Sequence, residues 1–164
     1  MKISQTEILM LLHLTFLAFF LGGQFFYLFI IQPASFRFFS VNDQVFYLQN
    51  VLKRQNPILL LTLCLVVITG GFMITGLKTN LGMDYFSAFG AKLVKKLSYF
   101  FVVFFITAYQ SLAIGFKIRY LDAAKMGQNL AATLKSVRTQ MSITSVLNIL
   151  LTIYIIYIAR NYAG

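Results

Sequence analysis

One histidine, one cysteine and six methionines are the only soft or borderline metal ligands in the chain, and four acids are its only carboxylates. His13 is the residue best suited to ligate haem or copper. Met73 offers a thioether, the soft partner that Cu(I) or an axial haem position accepts. Lys92, Lys95 and Lys96 recur at i, i+3 and i+4, so they share one helix face and form a cluster able to meet an anion such as a haem propionate. Each has a plainer reading: a hydrogen-bonded histidine between helices, a methionine filling a core, and lysines snorkelling to lipid phosphates. The single cysteine, Cys64, excludes an internal disulfide and reads as a small apolar filler. One histidine with four acids excludes a dense all-protein metal cage and makes a Ser-His-Asp triad implausible. No HExxH, CxxC or glycine-rich phosphate loop is present.

The elements that must position these residues follow from composition. Of 164 residues, 59% are hydrophobic and 11% charged, with a mean hydropathy of +0.79, against about 25% charged in a soluble domain. A soluble enzyme, a disordered tail and a nucleic-acid binder are excluded, and one small membrane domain over 1–164 remains. The net charge of +10 comes from bases that flank apolar runs, which points to membrane orientation and lipid headgroups and to no nucleic-acid partner.

A spanning helix needs about 20 mostly apolar residues. Four runs qualify: 8–31, 57–77, 97–116 and 139–159. The first far exceeds the roughly 7–15 apolar residues of a signal peptide and reads as a permanent span. Closed hydrogen bonding within each helix predicts an all-α, antiparallel four-helix bundle in the bilayer. Eight bases (Arg37, Lys53, Arg54, Lys117, Arg119, Lys125, Lys135, Arg138) fall on one side and six (Lys2, Lys78, Lys92, Lys95, Lys96, Arg160) on the other, which orients both termini outside the cytoplasm. Residues 36–52 read as a short interfacial amphipathic helix capped by Ser40, Asn42 or Asp43. Pro57 then suits the first turn of the second span. Residues 78–90 read as a surface loop, and 122–140 as an extension of the fourth span or a separate surface helix.

Polar residues at membrane depth are candidate sites or packing contacts. His13 lies about 8 Å into the first run, and Gln24, eleven residues on, is about 20° away around the helix, so both share one stripe. Met73 lies about 6 Å from the end of its run, at a depth similar to His13. The small residues of Thr69-Gly70-Gly71 and Gly76 read as close helix packing. Thr107, Gln110 and Ser111 share a face with Lys96, and Thr144, Ser145, Asn148 and Thr152 form a stripe suited to inter-helix hydrogen bonds or a partner subunit.

The order of these features resembles a superfamily of small four-helix membrane proteins, the CopD-like copper-resistance group and the HemJ-type protoporphyrinogen oxidases. The resemblance rests on Leu12-His13, on Phe20-Leu21-Gly22-Gly23-Gln24-Phe25-Phe26 with Pro33 after it, on the stretch from Leu48 to Pro57 with Ile68-Thr69-Gly70, on Lys92 or Lys96 opening the third span, on Ala108-Tyr109-Gln110, and on Arg138 and Asn148. It implies haem b or copper as cofactor, with His13 and Met73 as metal ligands and Lys92, Lys95 and Lys96 beside propionates. The chain departs from the family in having no tryptophan, and Gln110 stands where HemJ-type relatives carry a third-helix histidine. Haem ligation by two histidines of one chain is thereby excluded. The favoured expectation is a non-catalytic protein of the bacterial cytoplasmic membrane, binding haem or copper through His13 or serving as an accessory subunit, among other membrane subunits or as a homo-oligomer. The alternatives are a divergent haem-dependent protoporphyrinogen oxidase and a copper-handling permease.

Overall fold

The computed structural model describes residues 4–81, 84–121 and 129–161, with the side chains of 76–81, 84–89, 91, 92 and 161 outside the description. Among the described residues there is no strand. The elements are α1 (Gln5–Phe26), a π-helical turn (Tyr27–Ile31), α2 (Gln32–Phe38), α3 (Val41–Leu81), α4 (Asp84–Tyr109), a second π turn (Gln110–Ile114), α5 (Gly115–Arg119) and α6 (Leu130–Asn161). They assemble into four long helices, each with a stretch apolar enough to cross a membrane: Gln5–Phe38, Val41–Thr75, Leu93–Arg119 and Leu130–Arg160. The all-helical expectation is met, and every long helix exceeds its apolar run.

α1 starts in a capping box. The Ser4 hydroxyl accepts from the Glu7 amide and the Glu7 carboxylate accepts from the Ser4 amide, so two otherwise orphaned N–H groups are satisfied. Pro33 has no N–H to offer the carbonyl of Phe29, and the π turn just before it is where the ladder adjusts. Ser40 caps α3 as expected, its hydroxyl accepting from the Asp43 amide and donating to the Asp43 carboxylate at 2.6 Å.

Three expectations about the connections need correction. Residues 36–52 are not a free-standing interfacial helix. From Val41 onward they form the first part of α3, a 41-residue helix. Their apolar face, Val45, Leu48 and Leu52, packs against Ile114, Ile118, Leu121, Leu130 and Leu134 in the larger of two core clusters. The amphipathic pattern therefore serves protein packing. Pro57 lies inside α3, not at its start. It leaves the Lys53 carbonyl without its usual donor, but Leu52 on one side and Leu59, Leu63 and Val66 on the other are buried, so packing holds the helix through the proline. Residues 78–90 are not a surface loop: they are helical on both sides of 82–83, as the end of α3 and the start of α4. From Leu130 onward the fourth helix does extend through 130–140, while 122–128 lie outside the described residues.

The larger cluster also holds Tyr27, Ile31, Val137 and Met141. Beside it Ser142 donates to Gln32 Oε1 at 2.7 Å, and the Arg138 guanidinium stacks over the Phe36 ring. Gln49 Nε2 donates to the carbonyls of Ile118 and Leu121 at 3.0 and 2.8 Å, closing the open end of α5. The smaller cluster is Phe20, Leu59, Leu63 and Val103. α1 packs mainly on α3, and α4 mainly on α6. Large apolar side chains such as Phe19, Phe29, Leu61, Phe72 and Phe105 face outward, as expected of helices whose surroundings are hydrocarbon.

Candidate functional site

His13 is half-buried on α1, and its described partners come from α3. Its Nδ1 lies 3.0 Å from Thr69 Oγ1. The Thr69 hydroxyl has one proton, and its short contact, 2.7 Å to the Leu65 carbonyl, takes it. A Thr69 hydroxyl turned onto the Leu65 carbonyl can accept from a His13 protonated at Nδ1, and in that tautomer Nε2 keeps its lone pair. A hydrogen bond through one ring nitrogen is the device that orients a metal-ligating histidine through the other. Gly70 makes the seat: a Cβ there would come within 3.2 Å of His13 Cε1. Gly71, by contrast, opens onto free space. The close-packing reading of this glycine pair holds for Gly70 alone.

Met73 is half-buried, one turn beyond Thr69 on the same face of α3 and about 6 Å further along its axis. Met73 is thus one turn along α3 from His13's partner Thr69. The lysines stand elsewhere. Lys95 is exposed and Lys96 half-buried, both on α4, a helix that packs chiefly on α6; the Lys92 side chain lies outside the described residues. Cys64 is a free, half-buried thiol. Among the described residues no three His, Cys, Asp or Glu side chains converge as a metal site.

The deepest polar groups lie further along the bundle. Gln24 and Gln110 are both buried and pair their amides at 3.4–3.5 Å. Gln110 Nε2 also donates to Ser145 Oγ at 2.9 Å. Asn148 Nδ2 donates to Thr107 Oγ1 at 3.2 Å and faces Gln110 Oε1 at 3.4 Å. Thr107 and Thr152 turn their hydroxyls back onto the Val103 and Asn148 carbonyls. The polar stripe of the fourth helix is therefore internal. Both π turns border this network: Gln110 opens the second, and the amide of Tyr27, which opens the first, donates to the Gln24 carbonyl.

Sequence reasoning missed Asn56. It is 2% exposed, and neither its Nδ2 nor its Oδ1 has a hydrogen-bond partner among the described residues. Gly115 leaves it room, since a Cβ there would stand 2.8 Å from Asn56 Nδ2. The signal was present in the Asn-Pro dipeptide, which reads as a helix start and so as a solvated position. Gln55 Oε1 and Asn148 Oδ1 are likewise buried without partners.

Comparison with family models, curated proteins and solved structures finds no match.

The site's own chemistry therefore carries the functional reading. An imidazole and a thioether are the ligand types that suit a soft metal ion. The amide network can hold helices together, with no nucleophile or titrating acid among its described members.

Proposed function

We propose that the chain is a non-catalytic integral membrane protein of CopD/HemJ-like type. In this reading its four long helices form an antiparallel bundle in the bacterial cytoplasmic membrane, with both termini outside, and it serves as a scaffold or accessory subunit of a larger membrane complex. The observation that carries this is Gln110. In the resembling oxidases that position supplies a haem-ligating histidine. Here it is an amide, 1% exposed, tied to Gln24 on the first helix and Ser145 on the fourth. His13 belongs to a level eleven residues away along the first helix, about 16 Å, so these residues do not fit a haem held by two ligands of this chain. An oxidase reading lacks its second histidine ligand.

A second reading is supported by the Nδ1–Thr69 bond: His13 Nε2 as a copper ligand with Met73 as its soft partner. Their donor set fits Cu(I), which accepts low coordination and favours thioethers. The copper-handling alternative rests on the same two residues. The lysine cluster is more simply a lipid-phosphate contact than a propionate clamp.

The test is purification in mild detergent, followed by an absorption spectrum, metal analysis and native mass measurement. Expected are no Soret band, no oxidation of protoporphyrinogen, and a stoichiometric membrane partner or oligomer. A Soret band that vanishes in His13→Ala, together with turnover, would restore the oxidase. Copper bound one to one and lost in both His13→Ala and Met73→Ala would favour the second reading.

A further inference from the structure

An open groove of about 820 Å³ lies between the first two long helices, on a different stretch of α1 from His13. Its walls run from Thr15 and Phe19 past Gly22 to Phe26 on α1, with Leu59 and Ile58 opposite on α3. Gly22 opens it, because a Cβ there would meet nothing within 4 Å. Gly23 beside it closes the helix contact, where any Cβ would run into Leu59. From Thr15 to Phe26 the first helix rises about 16 Å, enough for a substantial stretch of an extended hydrocarbon chain.

The groove is not apolar throughout. Arg54 and Gln55 line it, just before the apolar run that begins at Pro57, and so at the boundary of the hydrocarbon if this run spans the bilayer. The chain has 14 bases against 4 acids. The two acids whose side chains are described, Glu7 and Asp43, are engaged in helix caps elsewhere. Gln55 Nε2 donates to the Gly23 carbonyl at 2.8 Å. A carbonyl only accepts, so this bond fixes the amide's orientation and leaves Gln55 Oε1 as a buried acceptor without a donor. One strip thus offers an apolar slot with a guanidinium at its end.

We propose that this groove binds one anionic phospholipid, of the phosphatidylglycerol class. The acyl chain lies along Gly22 and the phosphate meets the exposed Arg54. Charge complementarity selects an anion, and the length and apolarity of the slot select a lipid over a soluble phosphate. The proposal rests on the membrane reading above. Resistance of the protein to extraction from carbonate-washed membranes tests that reading separately.

The experiment is native mass spectrometry of the full chain released from nanodiscs containing equal phosphatidylglycerol and phosphatidylcholine. One retained lipid is expected, with phosphatidylglycerol favoured about fivefold, the size of one basic contact. Arg54→Gln, at an exposed position, abolishes the preference, and Gly22→Leu or Ala18→Leu, which fill the slot, abolish the adduct. Equal retention of the two lipids, a preference that survives Arg54→Gln, or an adduct unchanged by both slot-filling variants overturns the proposal. So does a copurifying transmembrane partner that replaces the lipid.

Discussion

Two polar sites sit eleven residues apart on the first helix, and they are built in opposite ways. His13 is half-buried and meets Thr69 and Gly70, both on α3. Gln24 is fully buried and joins Gln110, which in turn reaches Ser145 and Asn148 on the fourth helix. An amide carries two donors and an acceptor with two lone pairs, so it can bridge several helices at once. A neutral imidazole has one donor and one acceptor; once Nδ1–H is given to Thr69, the remaining nitrogen is open. Burial of a polar group at depth is therefore not by itself a mark of chemistry. The Gln110 network joins the first, third and fourth helices, with Asn148 Oδ1 left without a partner among the described residues. The His13 site reaches only α3 through its described partners, and the tautomer that donates to Thr69 keeps a ring nitrogen able to ligate.

Breaking the Gln110 network is expected to have the largest effect on stability. Gln110→Leu removes the hub and strands Gln24, Ser145 and Asn148, costing about 2 kcal/mol in detergent unfolding titrations. A loss below a few tenths would show that the network does not hold the bundle. Gly115→Ala drives a Cβ toward Asn56 Nδ2 and is expected to cost about 1–2 kcal/mol. Asn56→Ala in the same chain restores most of this, so the double-mutant cycle is strongly non-additive; an additive cycle would separate the two residues. At the His13 site, Thr69→Val removes one interhelical bond and costs about 0.6 kcal/mol. If His13 holds copper as in the second reading, the same change weakens that binding about tenfold, as loss of an orienting partner does. Unchanged copper affinity by titration would mean that Thr69 does not set the ring. Lys95→Ala is expected to change stability by less than about 0.5 kcal/mol and to leave copper affinity alone; a clear loss of copper would return the lysines to the site.

Much of the fold was legible because hydrophobicity at bilayer length is a strong, local signal. All four apolar runs lie within the long helices. Ser40 was readable as a cap because an N-cap needs only its own side chain and the next turn. The connections were not readable in the same way. Val45, Leu48 and Leu52 repeat at helical spacing whether they face lipid headgroups or protein, and only the presence of Ile114, Ile118 and Leu130 opposite them decides. Pro57 signals a helix start in isolation, and buried faces on both sides override it. His13, Gln24 and Asn148 stood out as polar groups in apolar runs. Asn56 did not, because its neighbours in sequence are polar and its burial comes from Gly115, more than fifty residues away.

By itself the sequence determined that this is a helical chain with four runs able to span a bilayer, and that it has one imidazole and one thiol to offer a metal beside its thioethers. Both follow from composition, which no arrangement in space can alter. Only the tertiary structure decided that His13 Nδ1 faces Thr69, that Ser145, Asn148 and Thr152 turn inward, and that Gly22 opens a groove while Gly23, its neighbour, closes a contact. These depend on which helix lies opposite and at what rotation, and the two π turns reset that rotation by a residue each. A pattern read along one helix cannot contain that information.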